Sequence, residues 1–302
     1  MSWSPLPVPA QRLGESPLWH PQRQCLYWCD IPAGELHAYH PDTQAHRQWS
    51  LGSDVACCAA ASDGHLLLAL RRGIVHFNPD RGEVTPLVDA PYDTALERFN
   101  DGKVDPWGRW WIGTIYEPRQ PALAALYCLH FSGGRPVLQR QEASGITVSN
   151  GLAWSPDGRT QYRSDTTSHT VFRADVDPVS TWPGPWAPWV TFPLKQPGQD
   201  LATYGGRPDG AAVDQEGAYW TAMFEGQRLL RLSAQGEVLA SVALPVRCAT
   251  MPTFGGPDLR TLFVTTARES RPEAERQAQP WAGQVLQCRV DVPGLPASVV
   301  QL

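Results

Sequence analysis

Four short pieces of the chain share one phase. Glu15 lies in GESPLWHP, Asn100 in RFNDGKVDP, Asn150 in SNGLAWSP and Asp209 in PDGAAVDQ. Each of these oxygen-bearing residues stands close to a glycine and precedes a short apolar-alternating run. Each lies six residues ahead of a turn position, at Pro21, Pro106, Pro156 or Gln215. Residues at one phase of a repeated unit take equivalent places in space, so in a closed ring they converge on the axis. Two carboxylates and two amides meeting there have the character of a cation site built from hard oxygen ligands.

The repeat has six units, marked by the turn segments HPQRQ (20–24), ASDGH (61–65), DPWGR (105–109), SPDGR (155–159), DQEGA (214–218) and GGPDL (255–259). An aromatic or β-branched strand follows each turn, from CLYWCDI in the first unit to TLFVTTA in the last. Most units then add a strand ahead of a charged turn, as in ELHAYHPDT and TVFRADVDP. The turns recur mostly about forty to fifty residues apart, the period of a propeller blade. With 29 Pro, 26 Gly and only 18% charged residues, the composition suits short strands and tight turns rather than long helices. The expected fold is all-β: a single six-bladed β-propeller over residues 1–302, with one divalent metal in its central channel. Residues 178–208, rich in Pro and Trp, read as an insertion in the fourth blade, whose Trp182, Trp186 and Trp189 either line a substrate mouth or, the favoured reading, pack the connection onto the body. At the shared phase the two remaining units carry Ala56 and Met251, so the ring is polar on four sides and apolar on two.

Other features narrow the function. A formal net charge of -5 with no Lys/Arg block argues against nucleic acid or membrane as partner. The start has no signal-peptide pattern, and no apolar run approaches the roughly eighteen residues of a membrane span. The seven cysteines lack paired CxxC spacing, which fits reduced thiols and a cytoplasmic location. HExxH, GxSxG, Walker and GxGxxG motifs are missing from the sequence. Taken singly, NDG, SNG and PDG are ordinary turn chemistry, and only their common phase weighs against that reading. Glu15 is the least ambiguous of the four, since glutamate is a poor turn former. Arg98 reads as a donor fork facing the channel beside Asn100, whereas Asp101 and Lys103 read as turn and surface residues.

The motifs GESPLW, RFNDGKVDPWGR, SNGLAWSPDGRT, RPDGAAVD and MPTFGGPDLRTLFVTTA resemble, in order, those of the regucalcin / senescence-marker-protein / gluconolactonase family. The resemblance runs from about residue 12 to the strands near 290. It implies a six-bladed propeller that binds one divalent cation in the channel and hydrolyses sugar lactones. Carried over motif by motif, the metal ligands fall on Glu15, Asn150 and Asp209, and the substrate-contacting pair on Arg98 and Asn100. A substrate-facing glutamate of some members has its nearest counterpart in Glu117, displaced by one place and followed by Pro118 in GTIYEPRQP. Arg163 stands where an aromatic or small residue is expected.

These residues suggest metal-dependent hydrolysis of an aldonolactone such as glucono-, arabinono- or xylonolactone, with Asp209 as general base and Arg98, Asn100 and Glu117 around the substrate. Calcium is the first choice of ion, with zinc, manganese, magnesium or iron(II) also compatible with oxygen ligands. The expected partner is a small sugar lactone, and the expected state a monomer or weak homo-oligomer. Two alternatives stay open: an organophosphate or aryl-ester hydrolase on the same scaffold, and a non-catalytic calcium-binding regulator.

Overall fold

Alternation and tight turns build the molecule from hairpins. A computed structural model describes residues 2–302, so Met1 of the expected domain lies outside the described residues. The strands form six four-stranded antiparallel sheets. Their innermost strands are Gly14–His20, Val55–Ala60, Glu97–Val104, Ser149–Trp154, Arg207–Val213 and Ala249–Gly255. Each packs on the inner strands of both neighbouring sheets, and the first packs on the last, which closes the ring of a six-bladed propeller. Every turn segment read from the sequence joins the first and second strands of its blade.

Burial falls from axis to rim. Inner strands such as Val55–Ala60 and second strands such as Cys25–Asp30 are buried along their whole length, while the outer strands Ala45–Ser50 and Val238–Ala243 expose most of theirs. Those rim strands would offer open edges, and the strand Glu83–Asp89 blunts its own with Pro86 and charged residues. The sixth blade takes its outermost strand from the other end of the chain, where Ser4–Pro5 pairs with Leu286–Arg289. Segment 178–208 supplies the fourth blade's outer strand, Ala187–Thr191, and ends within the fifth blade's inner strand. Trp182 packs against Trp111, and Trp189 against Tyr162 and Tyr219, so these rings clamp the connection to the body. Arg163 is explained by the same segment. Its guanidinium is sandwiched 4.6 Å from the Phe172 ring and 4.8 Å from that of Trp186, a buried cation–π stack. All seven cysteines are free and buried.

Two turns carry a buried aspartate that ties turn to blade. Asp105 accepts from Trp111 Nε1 at 2.8 Å and Arg109 Nε at 2.6 Å; Asp214 accepts from Trp220 Nε1 at 2.9 Å and Arg231 Nε at 2.8 Å. Asp214→Ala strands the Trp220 indole donor and leaves Arg231 only its exposed partner Glu216, so a loss of about 2–4 kcal/mol is expected from urea unfolding. A loss below about 1 kcal/mol would place the pair with weak surface ion pairs instead.

Candidate metal and substrate site

All six inner strands slip register at one level: between Glu15 and Leu18, Val55 and Cys57, Phe99 and Gly102, Asn150 and Ala153, Pro208 and Ala211, and Ala249 and Met251. A bulge interrupts two-residue alternation and re-aims side chains, and here it does so around a common axis. NDG, SNG and PDG therefore lie inside strands rather than at turns. Gly151 shows why glycine follows the asparagine. Its φ is +64°, and a Cβ there would stand 2.4 Å from Tyr219 Oη and 2.7 Å from Ser164 Oγ.

The bulges bring Glu15, Arg98, Asn100, Asn150 and Asp209 to one cavity of about 400 Å³, with Thr166, His169, Phe224, Arg119 and Arg207 around its mouth. The five predicted residues are all buried, each no more than 9% exposed. Glu117 is not part of that wall. Arg71 takes its carboxylate with bonds of 3.0 and 2.8 Å, and it approaches Arg98 Nε only to 3.7 Å. The other mouth of the channel holds a second cavity of about 390 Å³, crossed by Leu295–Ser298 of the C-terminal segment. Lys103 and Cys58 are its only ionisable lining residues among those described, so it offers no carboxylate ligand.

Hydrogen bonds orient the amides. Thr166 Oγ1 donates to Pro208 O at 2.8 Å, which leaves it to accept from Asn150 Nδ2 at 2.8 Å. Asn150 Oδ1 therefore faces the other way and accepts from Asn100 Nδ2 at 3.0 Å. Asn100 Nδ2 also donates to Ser149 O at 3.0 Å, while Asn100 Oδ1 accepts from Arg98 Nη1 at 3.0 Å. Each amide flip follows from this chain of partners, and Asn150 Oδ1 keeps a second lone pair. Arg98 is itself anchored by Nη1 donating to Phe99 O at 2.8 Å.

The charges are frustrated. Burial, then repulsion from Asp209 and Asp101, pushes the Glu15 carboxyl well above the usual carboxylate range. Burial likewise pushes Asp209 up to about 8, with Arg207 opposing and Asp101 adding. Two acids held in one buried cavity, with an oriented amide oxygen beside them, form a hard-oxygen donor set that a divalent cation would stabilise. The residues fit such an ion.

Asp101 and Lys103 are corrected from turn and surface residues to channel residues. Asp101 is 4% exposed and accepts from Leu152 N at 3.2 Å, while Lys103 Nζ donates to Ala211 O at 2.8 Å. Burial raises the Asp101 carboxyl and pushes the Lys103 ammonium down to about 8. Strict alternation would turn Asp101 away from the side Asn100 occupies; the slip between Phe99 and Gly102 removes that alternation. The sequence reading also passes over Thr166, Arg119, Arg207 and His169. Arg207 stands in the RPDG motif itself, directly before Pro208, and was within reach; the others depend on how loops fold over the mouth. His169 is held there by Pro193 O at 2.9 Å and Tyr204 Oη at 3.2 Å, both from the connection after the fourth blade.

Comparison with known proteins agrees with this architecture. A 6-deoxy-6-sulfogluconolactonase of Pseudomonas putida is 40% identical over 283 residues, covering 93% of this chain and 92% of that protein. A pentonolactonase of Haloferax volcanii is 35% identical, covering 85% of this chain and 82% of its own. The solved structure of a calcium-binding protein, regucalcin, from Agrobacterium tumefaciens superposes with a TM-score of 0.89 at 26% identity, covering 99% of this chain and 97% of that one. The family model for the SMP-30/gluconolactonase/LRE-like region matches residues 13–268, and the chain belongs to that family.

Proposed function

We propose that the protein hydrolyses a sugar lactone to the free sugar acid, using a divalent cation held by Glu15, Asn150 and Asp209. One observation carries the reading: two buried carboxylates and an oriented amide oxygen share a cavity with the hydrogen-bonded pair Arg98 and Asn100. The relatives named above as sulfogluconolactonase and pentonolactonase both act, by those names, on sugar lactones. An ion bound there supplies Lewis-acid polarisation of a carbonyl. The donor set is all oxygen and the Agrobacterium neighbour is a calcium-binding protein by name, which favours calcium over softer ions.

The chain's own residues do the rest. Asp209, ionised, accepts a proton from the water that attacks the lactone carbonyl carbon. The new C–O bond forms, the ring C–O bond breaks, and the departing alkoxide takes up the proton to give the hydroxy acid. Arg98 has Nε and Nη2 without a hydrogen bond among the described residues and can donate them to hydroxyl or carbonyl oxygens of the ring, while Asn100, whose two Nδ2 hydrogens are taken, can only accept from a substrate hydroxyl at Oδ1. Glu117 acts on substrate only through Arg98, because Arg71 occupies its carboxylate.

Acid release from glucono-1,5-lactone and arabinono-1,4-lactone, measured beside hydrolysis of paraoxon, tests the substrate class. Turnover of at least one sugar lactone, with paraoxon slower, is expected. The reverse order would place the chain with the organophosphate hydrolases.

A further inference from the structure

The cavity wall carries more positive charge than lactone hydrolysis needs. Its ionisable residues include the acids Glu15 and Asp209 and the bases Arg98, Arg119 and Arg207. The two acids belong to the cation site proposed above, and Arg98 is tied to Asn100. Arg119 and Arg207 also line the cavity and are assigned no contact with the reacting atoms, although Arg207 is near enough to Asp209 to favour its ionised form.

The two guanidiniums are neutralised unequally. Arg119 follows the second strand of blade three, its backbone N–H bonded to Tyr116 O at 2.9 Å. Its φ of +68° lies in the left-handed region that a non-glycine residue rarely adopts. Among the described residues it has no carboxylate within ion-pair distance; the acid two places earlier, Glu117, is bound by Arg71. Arg207 lies 5.0 Å over the Phe224 ring and reaches Glu225 at 3.2 Å. That carboxylate also takes Arg271 at 2.8 Å, which Glu275 binds as well, and Lys195 at 3.4 Å, so Arg207 shares its one acid. Arg119, exposed at the surface, and Arg207 are close enough to repel, with Glu117 and Asp165 offsetting part of that repulsion.

Like charges gathered at a cavity mouth raise the local concentration of anions, and a guanidinium fork matches the paired oxygens of phosphate, sulfonate or carboxylate. A cavity of about 400 Å³ is within the size range of small-molecule sites. We propose that Arg119 and Arg207 bind an anionic substituent on the substrate remote from its lactone carbonyl, so that the preferred substrate is an acidic sugar lactone rather than a neutral one. The proposal rests on the lactonase reading and deepens it.

The test compares kcat/KM for glucono-1,5-lactone, its 6-phosphate and its 6-deoxy-6-sulfonate, with wild-type protein and with Arg119→Gln, Arg207→Gln and Arg119→Lys. Wild-type protein is expected to favour a charged lactone by at least about tenfold, the size of one charge-assisted bond, and to lose that preference as salt is raised. Each glutamine variant should cut the ratio of charged to neutral kcat/KM by about tenfold, mostly through KM, and Arg119→Lys should restore part of it. The order of phosphate and sulfonate then identifies the oxyanion. Equal or better use of the neutral lactone, or a preference that survives both glutamine variants, overturns the proposal while the lactonase reading stands. Hydrolysis of no lactone, neutral or charged, overturns both.

Discussion

Asp209→Asn is expected to lower kcat for lactone opening by at least about a hundredfold, the usual contribution of a positioned general base. The substitution keeps the side chain's size and one ligating oxygen but removes the charge that accepts the water proton. It should also make the metal-free protein more stable at alkaline pH. Burial raises the Asp209 carboxyl from 3.8 to about 8, so between those values the folded chain holds a proton that the unfolded chain has released. Unfolding there releases that proton, so this group's contribution makes stability fall as pH rises from about 4 through about 8. Asparagine removes the slope. Steady-state rates and thermal unfolding of the same preparations check both halves. Near-normal turnover in the variant would remove Asp209 from the reaction.

Cation binding should invert that pH dependence, which is the second large effect. Below their raised pKa values Glu15 and Asp209 each carry a proton that an incoming ion must displace. From pH 5 to 7, below the value of about 8 for Asp209, the apparent affinity should therefore climb by about tenfold per pH unit, and more steeply where Glu15 also gives up a proton. A saturating ion at about a hundred times Kd adds about 2.7 kcal/mol of stability. At fixed ion concentration the rise in Tm should thus be larger at pH 8 than at pH 5. Glu15→Gln should remove one proton from the affinity slope and weaken binding. Affinity independent of pH in wild-type protein, or unchanged by Glu15→Gln, would show that these carboxylates do not hold the ion.

The blades are legible in the sequence because their signals are local. A tight turn followed by an alternating strand needs no information from elsewhere, and all six turn segments fall between the first two strands of a blade. Ring closure is not local. The pairing of Ser4 with Gln287 joins opposite ends of the chain through a two-residue strand that carries no periodicity of its own. At the site, phase finds Glu15, Asn100, Asn150 and Asp209 because each blade repeats the same bulge. The same bulge hides Asp101, since a reading by alternation assigns it to the outside. Glu117 shows another limit: its motif places it near the mouth, but Arg71, forty-six residues earlier, decides where its carboxylate goes. The buried Arg163 likewise makes sense only beside Phe172 and Trp186. Among the described residues no helix is long and apolar enough to cross a membrane, in line with the absence of a long apolar run.

The most direct test of the metal-dependent lactonase reading is acid release from a panel of aldono-1,4- and 1,5-lactones by chelator-stripped protein. Each lactone is followed without metal and then with calcium, zinc, manganese, magnesium or iron(II) added singly. The account predicts little hydrolysis above the uncatalysed rate without metal, and recovery with calcium or another divalent ion in the wild-type protein but not in Asp209→Asn. Full activity in the stripped protein, or none with any ion from folded protein that still binds metal, would contradict it.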